Sequence, residues 1–238
     1  MNPLIVALDT PDEQKVKQLI NQLAPYVGAF KVGLELFSAV GPSIIRYINN
    51  LGGKVFLDGK FHDIPNTVDG AAAAATRHKV WMFNVHCSGG AAMMQAAMQS
   101  AKDTAATYNL PVPLILGVTI LTSIDAKILK SELGVDQDLA KQVVHLARLA
   151  KSAGLDGVVA SAKEIIPIRQ ELGLDFIILT PGIRPAWAAA AQDQKRIMTP
   201  KDAIVAGANY LVVGRPITQA PNPTAAVQKI LDEINSPR

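Results

Sequence analysis

The sequence predicts a parallel (β/α)8 barrel, an α/β fold in one domain spanning residues 1–238. Three observations carry this. Short apolar runs rich in Val and Ile recur eight times, a helical pattern follows each of them, and polar residues stand at their ends. Runs of this length suit strands buried on both faces, and strand–helix alternation repeated eight times closes into a barrel.

The elements follow in order. "LIVALD" (4–9) opens the chain, and residues 12–24 form a helix behind Thr10-Pro11, a cap and a first-turn proline. "AFKVG" (29–33) precedes a helix at 42–50, "KVFLDGK" (54–60) one at 65–78, and "VWMFNVH" (80–86) one at 89–107. "PLILGVT" (113–119), "DGVVAS" (156–161), "DFIILTP" (175–181) and "NYLVVGR" (209–215) lead to helices at 137–153, 162–172, 200–207 and 223–235. The alanine-rich "GAAAAATRH" (70–78) lies on the third helix, where small side chains serve either an interface or plain packing.

Composition narrows the function. Of 238 residues, 49% are hydrophobic, enough for one large core, and the mean hydropathy is +0.21. A net charge of +3 suits a small anionic ligand better than a nucleic-acid track. Aromatics at 5% leave few platforms for stacking bases. The one cysteine, Cys87, allows no internal disulfide and fits a buried small hydrophobe. The opening "MNPLIVALD" lacks a basic leader and its apolar run is too short for a membrane span, so a cytoplasmic, membrane-free protein is expected.

Polar residues concentrate where strands should end: Asp9, Lys31, Asp58 with Lys60, His86, Thr119 with Thr122, Ser161, Thr180-Pro181 and Gly214-Arg215. In a barrel these ends converge on the face that carries the active site. Asp58 and Lys60, two apart, share the face of Phe56 toward the axis, while Val55, Leu57 and position 59 face the helices. With Asp63 three residues on, they make a minus–plus–minus line, which Asp9 and Lys31 extend.

Carboxylates on both sides favour a protonated lysine. A fixed ammonium is unsuited to Schiff-base chemistry but suited to giving a proton to a carbanion. An ionised Asp58 beside a substrate carboxylate is repulsive until that carboxylate leaves as carbon dioxide. The ammonium also competes with Mg2+ for the same oxygens, so no metal is expected. "TPGIRP" (180–185) and "VVGRPIT" (212–218) follow the seventh and eighth strands, the usual phosphate grip of a barrel. Gly214 permits close backbone approach and Arg215 offers a bidentate cation. Residues 183–196 read as a lid.

"FHDIPNTV" behind D-x-K, "ALD", "KVG.ELF", "LTS", "TPGIR" and "VVGRPIT" together resemble the bacterial orotidine 5'-phosphate decarboxylase family, from about residue 4 to 235. The resemblance implies conversion of orotidine monophosphate to uridine monophosphate in pyrimidine biosynthesis. It implies no metal, no organic cofactor and a homodimer with shared active sites. It makes Lys60 the proton donor to C6 of the pyrimidine and places Asp58 near the departing carboxylate. Asp63 and Thr67 would enter the partner subunit's site, their i and i+4 spacing giving them one helical face. Asp9 and Lys31 would bind the ribose, and Thr122 and Ser123 the pyrimidine edge. Pro181, Arg184, Gln194, Gly214 and Arg215 would line the phosphate end, Gln194 being preferred to Gln192 because it keeps the "DQ.R" match. His62 is expected to support the site from behind, and His86 to be structural; His78 and His145 read as surface or packing residues.

One position departs from the family pattern. Gly59 stands between the Asp and the Lys, where relatives carry Leu or another side chain. The expected costs are strand entropy and a small packing defect on the helix side. Two rival readings share the scaffold: a Mg2+-dependent sugar-phosphate enzyme, and a phosphate-binding barrel without chemistry.

Overall fold

The computed structural model describes residues 2–189 and 198–236. Eight parallel strands close into a barrel in sequence order: β1 (Leu4–Ala7), β2 (Ala29–Gly33), β3 (Val55–Phe61), β4 (Met82–His86), β5 (Leu114–Val118), β6 (Gly157–Val159), β7 (Ile177–Thr180) and β8 (Tyr210–Val213). Pairing β1 with β8, Leu4 opposite Leu211, completes the ring and leaves no sheet edge open.

The helices are α1 (Glu13–Leu23), α2 (Leu34–Val40), α3 (Ser43–Asn50), α4 (Pro65–Arg77), α5 (Gly90–Tyr108), α6 (Ala126–Ser131), α7 (Leu139–Ser152), α8 (Ile165–Leu172), α9 (Ala186–Ala189), α10 (Pro200–Ala206), α11 (Arg215–Thr218) and α12 (Pro223–Asn235). Each of the eight expected helices is present. The pattern did not disclose α2, α6, α9 and α11, which are short pieces of four to seven residues inside the βα loops. Such pieces hold too few turns to display a period. The start of α1 also differs. Asp12, not Thr10, is the cap: its Oδ1 accepts the Lys15 N–H at 3.0 Å.

Alternation along each strand separates two apolar layers. Ile5, Phe56, Met82, Leu116, Leu179 and Val212 fill the barrel. Val6, Phe30, Leu57, Phe83, Ile178 and Val213 face outward and pack under the helices. At the N-terminal end, Trp81 meets Tyr210 edge to face at 5.2 Å, closing the bottom. The alanine-rich α4 lies along α5 with Ala72 and Ala75 buried, so plain packing accounts for those two alanines. Among the described residues no helix is long and apolar enough to cross a membrane.

Candidate active site

The barrel's C-terminal end carries a row of alternating charges. Lys31 Nζ lies 2.7 Å from Asp9 Oδ1 and 3.4 Å from Asp58 Oδ2, and Lys60 Nζ lies 2.7 Å from Asp58 Oδ1. Asp9, Lys31, Asp58 and Lys60 thus form one line drawn from β1, β2 and β3. Gly33 makes room for its first pair: a Cβ there would sit 2.8 Å from Lys31 Nζ and 3.2 Å from Asp9 Oδ1.

Burial pushes the Asp58 pKa up. The charges of Lys31 and Lys60, with hydrogen bonds from Lys60 and Asn84, outweigh it and leave this carboxyl below its ordinary value. Asp58 is therefore ionised at neutral pH despite being buried.

Asp58 and Lys60 share a face, as their spacing predicts, but not by simple pleating. Leu57 lies opposite Phe83 and Phe61 opposite Val85, so four residues of β3 span two of β4. Within this bulge Lys60 takes a left-handed backbone, φ 48°. For a non-glycine residue that conformation costs about 1–2 kcal/mol. The offsetting contact comes from Asn84 on β4, which is fully buried. Its Oδ1 accepts the Lys60 backbone N–H at 2.7 Å, and its Nδ2 donates to Asp58 Oδ1 at 2.7 Å. Sequence reasoning passed over Asn84, although one polar residue inside "VWMFNVH" was the available signal.

The packing defect expected at Gly59 is absent. A Cβ at this position would lie 2.7 Å from Phe61 Cε1, so the Phe61 ring occupies the space a side chain would need.

Asp63 corrects the expected charge line. It is exposed, its Oδ1 accepts the Ile64 N–H at 2.7 Å, and it makes no ion pair with Lys60 in this chain. Ile64 caps α4, so Asp63 precedes the helix and does not share a helical face with Thr67. Thr67 is exposed as well, and Ile64 beside them is 66% exposed.

A cavity of about 480 Å3 opens beside the charge line, lined by Asp9, Lys31, Asp58, Pro181, Arg184, Gly214 and Arg215 among others. Lys31, Asp58, Pro181 and Val212 also border a second pocket of about 170 Å3, where Lys60 and Thr122 meet Phe56, Val118, Ile120 and Leu179. The two form one slot, with arginines at one end and an apolar recess against Lys60 at the other. Ser123 is exposed and lies outside both linings. Gln194 and the alternative Gln192 fall outside the described residues, as does much of the segment read as a lid.

His62 rests against His86, ring centroids 5.2 Å apart. Burial lowers the His86 pKa, with the His62 and Lys60 charges adding to the effect. Burial pushes the Cys87 thiol up to about 12, as befits a small packing residue. Thr119 is buried and its hydroxyl donates to the Val159 carbonyl at 3.1 Å, a structural tie between β5 and β6.

Fold and site together define a (β/α)8-barrel enzyme whose charged groups gather at the strand C-termini. The chain belongs to the orotidine 5'-phosphate decarboxylase / HUMPS family, whose model matches residues 2–230. The orotidine 5'-phosphate decarboxylase of Moorella thermoacetica is 52% identical over 231 residues, covering 97% of this chain and 91% of that one. That of Pseudoalteromonas translucida is 50% identical over 231 residues, covering 97% and 96%. The crystal structure of the Lactobacillus acidophilus orotidine 5'-phosphate decarboxylase has a TM-score of 0.88 and 38% identity, covering 99% of this chain and 100% of that one.

Proposed function

We propose that this chain decarboxylates orotidine 5'-monophosphate to uridine 5'-monophosphate, without metal or organic cofactor, as a step of pyrimidine biosynthesis. The observation that carries the reading is the Lys60 ammonium held 2.7 Å from an ionised Asp58, at the point where the apolar recess meets the slot.

The chemistry follows from that placement. The nucleotide lies along the slot with its phosphate toward Arg184 and Arg215, its ribose by Asp9 and Lys31, and its base in the recess beside Thr122; Ser123, next in the loop, lies outside that recess. Asp58 repels the substrate carboxylate in the ground state, and the repulsion vanishes when the C6–carboxylate bond breaks. The electron pair stays on C6, next to a positive charge already in position. Lys60 then gives its proton to C6 and takes another from water. Carbon dioxide is released toward the apolar side of the recess, formed by Val118, Ile120 and Leu179. Asp63 and Thr67 act in trans, in a homodimer with shared sites; their exposure beside Ile64 leaves them available to a second copy.

Loss of orotidine monophosphate absorbance measures the reaction. The parent should turn over, and Lys60→Ala should lose about 10^4-fold or more in kcat while keeping its far-ultraviolet dichroism. Turnover that disappears with a chelator and returns with Mg2+ would favour the metal-dependent sugar-phosphate reading. No turnover by a folded parent would leave a phosphate-binding barrel.

A further inference from the structure

Asn84 touches both members of the Asp58–Lys60 pair. The amide can sit only one way round. Its Nδ2 faces a carboxylate oxygen and its Oδ1 faces a backbone N–H; exchanging them would set oxygen against oxygen and N–H against N–H. The β3 bulge explains why the contact exists. Ladder pairing stops at Leu57–Phe83 and resumes at Phe61–Val85, so within the bulge Lys60 gives its N–H to this side chain.

We propose that Asn84 is a positioning residue for the decarboxylation. One amide fixes the Asp58 carboxylate by donation and the left-handed Lys60 backbone by acceptance, and so decides where the ammonium meets the substrate carbon. The inference rests on the reading of Lys60 as the proton donor. With Asn84 removed, the Lys60 N–H has no acceptor in place to hold φ at 48°, and relaxation of the bulge swings Nζ off its line.

Charged and titratable groups around the amide are Lys31 on β2, Asp58 and Lys60 on β3, His62 in the loop beyond, and His86 on β4. Adjacent β5 brings Leu116 alongside and adds no charge.

Two variants separate positioning from bulk. Asn84→Asp keeps the shape, and when protonated it can still donate to Asp58 and accept from Lys60. When ionised it sets a second carboxylate against Asp58, so its proton is held to a raised pKa. The ratio of variant to parent kcat is then expected to rise as pH is lowered from 8 to 6, by about tenfold per unit while the proton is being taken up. KM should stay within about threefold of the parent, because the phosphate and ribose contacts are untouched. Asn84→Leu offers neither hydrogen bond, and its ratio should be low, about 100-fold down, and independent of pH. Thermal unfolding at each pH confirms that the assayed protein is folded.

A pH-independent ratio for Asn84→Asp overturns the proposal, as does kcat within threefold of the parent for either variant at pH 8. So does an Asn84→Asp protein that is unfolded across the whole range, since the role is then structural. Should Asn84→Leu fail to fold, Asn84→Asp decides alone. Lys60→Ala, measured in parallel, separates the two ideas. If it stays active, the proton-donor reading is wrong. If it is dead while Asn84→Asp behaves like the parent, only the role of Asn84 is wrong.

Discussion

The Phe61 ring stands where a side chain at position 59 would go, its Cε1 2.7 Å from the Cβ that Gly59 lacks. The same ring packs against Phe83 at a centroid distance of 5.7 Å, tying the end of β3 to β4. The glycine next to Lys60 is therefore half of a fitted pair.

Gly59 and Phe61 should be energetically coupled. Gly59→Ala must displace the ring and is expected to cost up to about 1 kcal/mol. In a Phe61→Ala background the same change should stabilise, by about 0.4–1 kcal/mol, because the backbone there is not left-handed and the unfolded chain loses freedom. Urea unfolding of the four proteins gives the coupling, and additive effects would refute the pairing.

Shared sites predict complementation. If Asp63 serves the partner, an equal mixture of Lys60→Ala and Asp63→Asn chains, unfolded and refolded together, forms half hybrids with one intact site each. About a quarter of parental turnover should return. If Asp63 serves its own chain, the mixture stays as inactive as its components.

Asp58 sets a limit to acid stability. Its folded pKa is depressed below the ordinary 3.8, since Lys31, Lys60 and Asn84 outweigh the effect of burial. Its contribution is complete above the unfolded value and disappears as pH falls through the lower folded one. Lys31→Met removes one of the cations responsible, so the acid limb of stability should move to higher pH, visible in urea midpoints between about pH 3 and 5. An unmoved limb would mean that Lys31 does not support the charge on Asp58.

Glu164 works in the opposite direction. Burial raises its pKa above the ordinary 4.5, against the hydrogen bonds from Ser161 and the charge of Lys163. Its ionisation thus erodes stability as pH rises from the unfolded value through the folded one. Glu164→Gln should melt higher than the parent at pH 7, by about 2–4 °C for each kcal/mol relieved. The two should converge near pH 4, where the parent carboxyl is protonated as well. A gap that stays constant with pH would assign the effect to packing.

The barrel was legible because short continuous apolar runs and helical patterns alternate eight times, and each repeat constrains the next. Most of the site was legible for a related reason: polar residues at the ends of apolar strands have few places to go. Pro181, Arg184, Gly214 and Arg215 line the slot where the loops after β7 and β8 were expected to bring them. Ser123 was named from a short motif and lies outside the linings, since a loop has no period to give direction to its side chains.

Sequence alone determined the fold, the family resemblance and the identity of the charged line from Asp9 to Lys60. Strand order and side-chain alternation are local properties, and local properties are written in the order of residues. Only the tertiary structure decided how Lys60 reaches Asp58, that Asn84 holds both, that Phe61 fills the place beside Gly59, and that Asp63 makes no ion pair with its own chain's Lys60. A bulge depends on the pairing of two strands and a buried amide on partners 24 and 26 residues away, so neither can be read from its own neighbourhood in the sequence.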